Sequence, residues 1–160
     1  MTALDNPPFH LVLVHAEIPP NTGNVARLCA VTGCQLHLVE PLGFRLEDRD
    51  LKRAGLDYWD ELKVQVWPDL EAYLAGSAQA RHWWCTTKAS RLVPEVPFER
   101  GDHLVFGPET RGLPPELIAS DPEHAIRIPM RPKLRSLNLS TAVGIVTYAA
   151  LGCVGYPGLE

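Results

Sequence analysis

Residues 9–39 read FHLVLVHAEIPPNTGNVARLCAVTGCQLHLV, in which an apolar run, a helical pattern and a second apolar run follow one another. The first run, at residues 9–14, is typical of a buried strand. After a diproline turn, the spacing predicts a helix from about residue 21 to 31, closed by Gly33 as a C-cap. Residues 35–39 predict a second strand. This order of elements is the repeating unit of parallel-sheet proteins.

The same alternation continues along the rest of the chain. Weaker helical patterns occur at residues 48–55 and 69–75, and a clear one runs from about residue 138 to 151. Further predicted elements are a short helix at residues 114–119 and strands at residues 63–66, 82–86, 104–106 and 125–128. Strands that alternate with helices predict an α/β fold, with a mainly parallel sheet flanked by helices.

Composition indicates one globular domain over residues 1–160. Apolar residues make up 46% of the chain and charged residues 21%, which is far from the profile of a disordered protein. No apolar stretch approaches the ~20 residues of a membrane span, so we expect a cytoplasmic protein without membrane association. The net charge of −4 predicts no overall attraction to nucleic acid, although a local basic segment can still bind RNA.

Several common kinds of site are absent from the sequence. The four cysteines form no C-x-x-C pair and the six histidines have no pair at helical spacing, so we expect reduced thiols and no metal site. The chain has no G-x-G-x-x-G dinucleotide motif and no phosphate-binding P-loop. It also has no G-x-S-x-G motif, so no serine is indicated as an acyl nucleophile.

Ligands of parallel α/β sheets bind beyond the carboxyl ends of the strands, which directs attention to the loops there. In the first loop, Asn21, Asn24 and Arg27 recur every three residues and share one face of the helix start. Two amides and a guanidinium beside a helix N-terminus suit phosphate and ribose contacts. The alternative is that Asn21 or Thr22 caps the helix and Arg27 is a solvated surface cation.

A second loop, at residues 106–114, contains two glycines and two prolines directly after a predicted strand. Such a loop is rigid and leaves backbone N–H and C=O groups free to meet a ligand. Glu109 and Arg111 are its charged residues, and they are either ligand contacts or a surface ion pair.

The third loop leads from the strand at residues 125–128 into the last helix. It contains no acidic residue and four cations, which are Arg127, Arg131, Lys133 and Arg135. Ser136 or Asn138 is expected to cap the helix. Because a cap needs only one of these polar residues, the other is a candidate for ligand contact.

These three loops, in this order, resemble the SPOUT family of RNA methyltransferases, and within it the minimal tRNA (cytidine/uridine) 2′-O-methyltransferases. The resemblance runs from about residue 11 to 158. Its strongest blocks are residues 18–24, 53–58, 106–114, 128–130, 135–136 and 138–140. It implies an α/β domain with a C-terminal trefoil knot, a homodimer, and S-adenosylmethionine bound among the knot loops, with no metal.

The resemblance also implies the site residues. Cofactor contacts, largely through backbone atoms, fall on Cys85, Gly107, Ile128 and Ser136. RNA contacts fall on Asn21, Asn24, Arg27, Glu109, Arg111, Arg135 and Asn138. Catalytic roles fall on Arg27 and Ser136. Because a guanidinium stays protonated in proteins, we expect Arg27 to stabilise an alkoxide or hold an RNA phosphate rather than act as a free base. The sequence departs from the family at Cys85, where an aliphatic residue is common, and at Leu137, where methionine is common.

The implied activity is methylation of a ribose 2′-hydroxyl at the anticodon wobble nucleotide, a cytidine or modified uridine, of tRNA, with a leucine tRNA as the expected substrate. One alternative is the same reaction at another tRNA position or on rRNA. Another is an RNA-binding module of this fold without turnover. The helix at residues 138–151 is rich in small residues and is expected to contribute to the dimer interface.

Overall fold

A computed structural model describes residues 6–47, 49, 51, 53, 62–133 and 136–160. The strands are β1 His10–Val14, β2 Gln35–Val39, β3 Gln65–Trp67, β4 His82–Cys85, β5 Arg91–Leu92, β6 His103–Phe106 and β7 Ala125–Arg127. The helices are α1 Pro19–Thr32, α2 Leu70–Gly76, α3 Pro115–Ser120 and α4 Leu139–Cys153, and short 3₁₀ turns lie at Val93–Glu95 and Pro122–His124.

The described strands form one seven-stranded sheet in the order β3-β2-β1-β6-β4-β7-β5. Every neighbouring pair is parallel, with Leu11 of β1 opposite Leu36 of β2 on one side and Leu104 of β6 on the other. The predicted α/β fold with a parallel sheet is therefore confirmed. Because all strands run in the same direction, their carboxyl ends meet along a single edge of the sheet.

Both faces of the sheet are covered, which is why β1, β2 and β6 are largely apolar. Leu11 and Leu13 face the layer that contains α1 and α4. The intervening Val12 and Val14 face the layer that contains α2 and α3. Each fully buried side chain of this kind stabilises the fold by about 1.5–3 kcal/mol. Among the described residues, no helix is both long enough and apolar enough to cross a membrane.

Helix α1 begins two residues earlier than the predicted Asn21. Its N-cap is Ile18, whose side chain makes no capping hydrogen bond, and prolines occupy the first two helical positions. The alternative in which Asn21 or Thr22 caps the helix is therefore wrong, because both residues lie within the helix, after the two prolines. The end of the helix is as predicted, with Gly33 left-handed and its N–H donated to the carbonyl of Cys29.

The shorter elements differ more from the prediction. The strand expected at residues 63–66 is Gln65–Trp67, and the strand expected at 125–128 ends at Arg127. β5 and both 3₁₀ turns were not predicted, because two or three residues carry no readable periodicity. Most of the helix expected at residues 48–55 lies outside the described residues.

Candidate active site

A cavity of about 730 Å³ lies at the carboxyl ends of β4, β6 and β7, beside the start of α4. Its volume is within the usual range for small-molecule and cofactor sites, about 300–1,000 Å³. The four residues expected to contact a cofactor all line it, namely Cys85, Gly107, Ile128 and Ser136. Although they are spread over about a third of the sequence, the parallel sheet brings them to one place.

The apolar wall of this cavity includes the Cys85 side chain at the end of β4. Its Sγ lies 3.8 Å from the carbonyl oxygen of Trp83, and burial raises the pKa of the thiol well above its ordinary value. The group is therefore a neutral thiol. It behaves as a small apolar side chain.

Gly107 turns the chain sharply after β6. A β-carbon at this position would come within 2.3 Å of the backbone of Gly112 and Leu113, a distance that no side chain tolerates. Gly112 itself has φ +71°, in the left-handed region. The two glycines allow residues 107–113 to fold tightly and to line the cavity with backbone.

Three loops meet at the cavity through a chain of side-chain hydrogen bonds. The Asn138 amide donates to Oδ1 of Asn21 at 3.0 Å, and the Asn21 amide donates to Oε2 of Glu109 at 3.2 Å. The Glu109 carboxylate also accepts the backbone N–H groups of Glu17 and Ile18, each at 2.8 Å. Glu109 and Asn21, both expected to contact RNA, are thus engaged within the protein, where they fix the loops relative to one another.

Glu17 makes the reciprocal contact and was not singled out by the sequence. Its Oε1 accepts the Thr110 backbone N–H at 2.9 Å and the Thr110 hydroxyl at 2.7 Å. These hydrogen bonds, with the charge of Arg111, hold the pKa of the Glu17 carboxyl below its ordinary value. Glu17 and Glu109 together connect the loop after β1 to the loop after β6. We call these hydrogen bonds the glutamate clamp.

The N-cap of α4 is Asn138, which is one of the two residues predicted to cap this helix. Its Oδ1 accepts the backbone N–H of Ser140 at 2.9 Å, the Ser140 hydroxyl at 2.7 Å and the more distant Thr141 N–H at 3.4 Å. Ser136 does not cap. It is exposed and lines the cavity, so its hydroxyl can reach a ligand there.

The expected RNA-binding residues do not all lie at the cavity. Asn21, Glu109, Arg111 and Asn138 line it, whereas Asn24 and Arg27 are exposed on α1 and do not. Arg135 lies outside the described residues. The four residues expected to contact a cofactor therefore lie together at one cavity, whereas Arg27 lies outside the lining of that cavity in its own chain.

Within the basic loop, the cations have different surroundings. Arg127 donates from Nε to the carbonyl of Ala89 at 2.8 Å and lines the cavity, so part of its role is structural. Arg131 and Lys133 are exposed. A further cation that sequence reasoning missed, Lys88, lines the cavity from the segment after β4.

Away from this cavity, three histidines that are far apart in the sequence come together on neighbouring strands of the sheet. His10, His37 and His103 each place a potential metal-ligand atom within 4.8 Å of the others. The spacing rules could not find them because they belong to three different strands. Tyr73 and His82 pack against the same group, which we call the histidine cluster.

Hydrogen bonds in the histidine cluster indicate neutral rings rather than metal ligands. The Trp67 indole, which can only donate, is 3.1 Å from Nδ1 of His37, so this nitrogen carries no hydrogen. Nε2 of His37 therefore holds the hydrogen and donates it to Nδ1 of His10 at 2.8 Å. A metal at Nε2 would require the opposite arrangement, with a hydrogen on Nδ1 facing the indole N–H.

Comparison with known proteins agrees with this geometry. The model of the SpoU rRNA Methylase family matches residues 8–148. A tRNA (cytidine(34)-2'-O)-methyltransferase of Aeromonas hydrophila is 52% identical over 149 residues, covering 92% of this chain and 96% of that protein. One of Methylovorus glucosotrophus is 53% identical over 143 residues, covering 89% and 93%.

A solved structure concerned with the 2-OH methylation of C/U34 on tRNA is similar along nearly its whole length. It has a TM-score of 0.88 and 44% sequence identity, and the match covers 92% of this chain and 96% of that chain. A solved structure from Bacillus anthracis has the same TM-score and 42% sequence identity. The family model and the close relatives each span most of the sequence. The chain belongs to the SpoU rRNA Methylase family.

Proposed function

We propose that this chain methylates the 2′-hydroxyl of the ribose at tRNA position 34, the anticodon wobble nucleotide, with S-adenosylmethionine as methyl donor. The observation that carries the proposal is the convergence of Cys85, Gly107, Ile128 and Ser136 on one cofactor-sized cavity. The names of relatives about half identical over nearly the whole chain support the reaction and the nucleotide. A cytidine or modified uridine is the expected base, and a leucine tRNA the expected substrate.

The residues at the cavity fit the proposed cofactor. Cys85 and Ile128 offer apolar surface, and the tight turn at Gly107 offers backbone groups. When bound, S-adenosylmethionine supplies a methyl group on a positively charged sulfur that is already a good leaving group. The reaction breaks the S–C bond and the O–H bond, forms a C–O bond, and releases a proton. It needs no metal.

The protein must place the ribose in line and assist loss of the proton. The Ser136 hydroxyl, exposed at the cavity, is suited to orient the cofactor or the ribose. Arg27 carries a permanent positive charge. It stabilises the developing alkoxide or holds an RNA phosphate that takes the proton.

We also propose that the active enzyme is a homodimer. Arg27 does not line the cavity of its own chain, so a second copy is the natural source of this residue at each site. α1 and α4 pack together, and they expose the large apolar side chains Val31, Ile145 and Tyr148, each at least 41% exposed. On the same helix, a β-carbon at Gly144 would meet nothing within 4 Å, so the helix surface there is open to a partner.

A direct assay tests the reaction. The purified protein is incubated with tritiated S-adenosylmethionine and an anticodon stem-loop, and with the same stem-loop carrying a 2′-deoxynucleotide at position 34. Methyl transfer to the first RNA and not to the second is expected. Equal transfer to both would place the methyl group elsewhere and would favour another tRNA position or rRNA.

The remaining expectations from the family are part of this proposal. The C-terminal segment forms a trefoil knot around the loops that line the cavity. The enzyme works in the cytoplasm, where its tRNA substrate is found.

A further inference from the structure

His15, the first residue after β1, has a backbone conformation that is rare for its type. Its φ is +56°, in the left-handed region, where residues with a β-carbon are disfavoured. The conformation is fixed by the backbone, since the His15 N–H donates to the carbonyl of Val39 at 3.0 Å. Such positions usually hold glycine or asparagine, and a bulky residue in this conformation is typical of functional sites.

The side chain of His15 has an unsatisfied polar atom. Its Nδ1 is buried and has no hydrogen-bond partner among the described residues. Buried polar atoms are normally paired, because leaving one unpaired is unfavourable. The imidazole as a whole is only partly buried, so a group that the protein chain itself does not provide can reach the ring.

His15 lines a second cavity of about 220 Å³ together with Arg111 and a rim of prolines. This cavity shares the loop after β6 with the main cavity, because Pro108, Arg111 and Gly112 line both. It is smaller than typical sites for whole cofactors or drug-sized ligands. Its size suits a single small group at the end of a larger molecule.

The polar lining of the second cavity favours an anion. A guanidinium and an imidazole nitrogen are donors to phosphate oxygens, and a guanidinium can bind two of them at once. One carboxylate, that of Glu17, is near enough for the charge of Arg111 to act on it. This carboxylate accepts from Thr110 and makes no hydrogen bond with Nδ1 of His15.

We propose that His15 and Arg111 bind a backbone phosphate of the substrate RNA, beside the nucleotide that is methylated. This inference rests on the proposed function for the identity of the RNA. It assigns His15, which no sequence motif singles out, as a substrate-binding residue. It also gives Arg111 a specific partner in place of a general contact with RNA.

The test uses His15→Gly, because glycine keeps the left-handed backbone and removes only the imidazole. We expect the Kd for the anticodon stem-loop to rise about tenfold in this variant, the usual effect of losing a hydrogen bond to a charged group. Binding of S-adenosylhomocysteine, measured by calorimetry, should not change. An exposed arginine at the other edge of the sheet, changed in Arg100→Ala, serves as the control and should leave RNA binding unchanged.

Two further measurements identify the phosphate. Arg111→Ala should weaken RNA binding and flatten the dependence of log Kd on log salt by about 0.7–0.9. If both residues hold the same phosphate, the double variant should be weaker by less than the product of the single effects. Independent, multiplicative effects would contradict a shared phosphate.

Nuclear magnetic resonance of the His15 imidazole separates the possible sources of the anion. We expect its nitrogen signals to shift with the stem-loop and only weakly with inorganic phosphate. A shift with inorganic phosphate alone would contradict an RNA subsite. The proposal would also be overturned if His15→Gly bound the stem-loop as tightly as the wild type. It would be overturned as well if this variant lost S-adenosylhomocysteine affinity as much as RNA affinity. A wild-type protein that binds the stem-loop without methylating it would instead contradict the proposed function.

Discussion

Glu109 is a single residue on which the geometry of the site depends. Its two carboxylate oxygens accept three hydrogen bonds, two from backbone N–H groups before α1 and one from Asn21. Glu17 in turn accepts hydrogen bonds from Thr110. The glutamate clamp therefore fixes the loop after β1 to the loop after β6. Both glutamates are therefore positioning residues.

Glu109→Gln tests the clamp. The new amide would direct its NH₂ group at a donor, which leaves at least one N–H unpaired, so the free energy of unfolding should fall by about 1–3 kcal/mol. Cofactor binding should weaken with it, because Glu109 also lines the cavity. Urea denaturation and calorimetry with S-adenosylhomocysteine measure these effects. The control is Glu116→Gln, exposed on α3, and equal stability of the two variants would rule out the clamp.

Arg27→Ala should nearly abolish methyl transfer while leaving cofactor affinity close to that of the wild type. The reason is that Arg27 is exposed on α1 and does not line the cavity of its own chain. A tritiated-methyl assay gives the rate, and calorimetry with S-adenosylhomocysteine gives the affinity. Arg27→Lys keeps the charge and tests whether the planar guanidinium is needed. Parallel loss of rate and cofactor affinity would refute the assigned role.

Among the elements, β1, β2 and β6 carry the histidine cluster, whose rings are neutral in the folded protein. Burial, and then the neighbouring histidines, lower the pKa of His37 to about 3 and that of His103 to about 2. Burial also lowers the pKa of His10 and of His82. In the unfolded chain these histidines take up protons near pH 6.5. The unfolded state therefore binds more protons as the pH falls.

The sign of the pH effect follows from these shifts. The stabilisation by the neutral histidine cluster is complete above about pH 6.5 and is lost as the pH falls below it, by up to about 1.4 kcal/mol per pH unit for each histidine. Urea denaturation between pH 7.5 and 5 measures this slope, and His10→Asn, which keeps a hydrogen-bond acceptor, should reduce it. Stability that does not change with pH would contradict the neutral cluster. A large rise in Tm with zinc would contradict the assigned hydrogens.

At the same scale, the sequence could predict the elements with a strong period and could not predict contacts between them. Gly33 ends α1 as expected, because one glycine after a helical pattern is a local signal. The diproline predicts a turn before the helix, whereas the structure has these two prolines as the first residues of α1. The histidine cluster and the glutamate clamp join residues far apart in sequence, and only the strand order brings them together. The four residues expected to contact a cofactor come from the family resemblance, since backbone contacts leave little side-chain pattern, and the structure shows only that they line one cavity.

For the whole molecule, a substitution on α4 tests the proposed homodimer. Val146 is fully buried, so a charge there would disturb the core, whereas Tyr148 is 43% exposed. Tyr148→Glu should shift sedimentation from dimer to monomer and abolish methyl transfer, while the unfolding transition is retained. Arg100→Ala, remote from α4, should remain a dimer. A monomeric wild-type protein with full activity would refute the dimer proposal.

The reaction of the whole molecule is tested in cells. Transfer RNA is isolated from cells with and without this protein, and 2′-O-methylated nucleotides are mapped by mass spectrometry. We expect 2′-O-methylation at position 34 to be present with the protein, absent without it, and restored by the wild type but not by Arg27→Ala. Unchanged methylation at position 34, together with loss at another nucleotide, would contradict it.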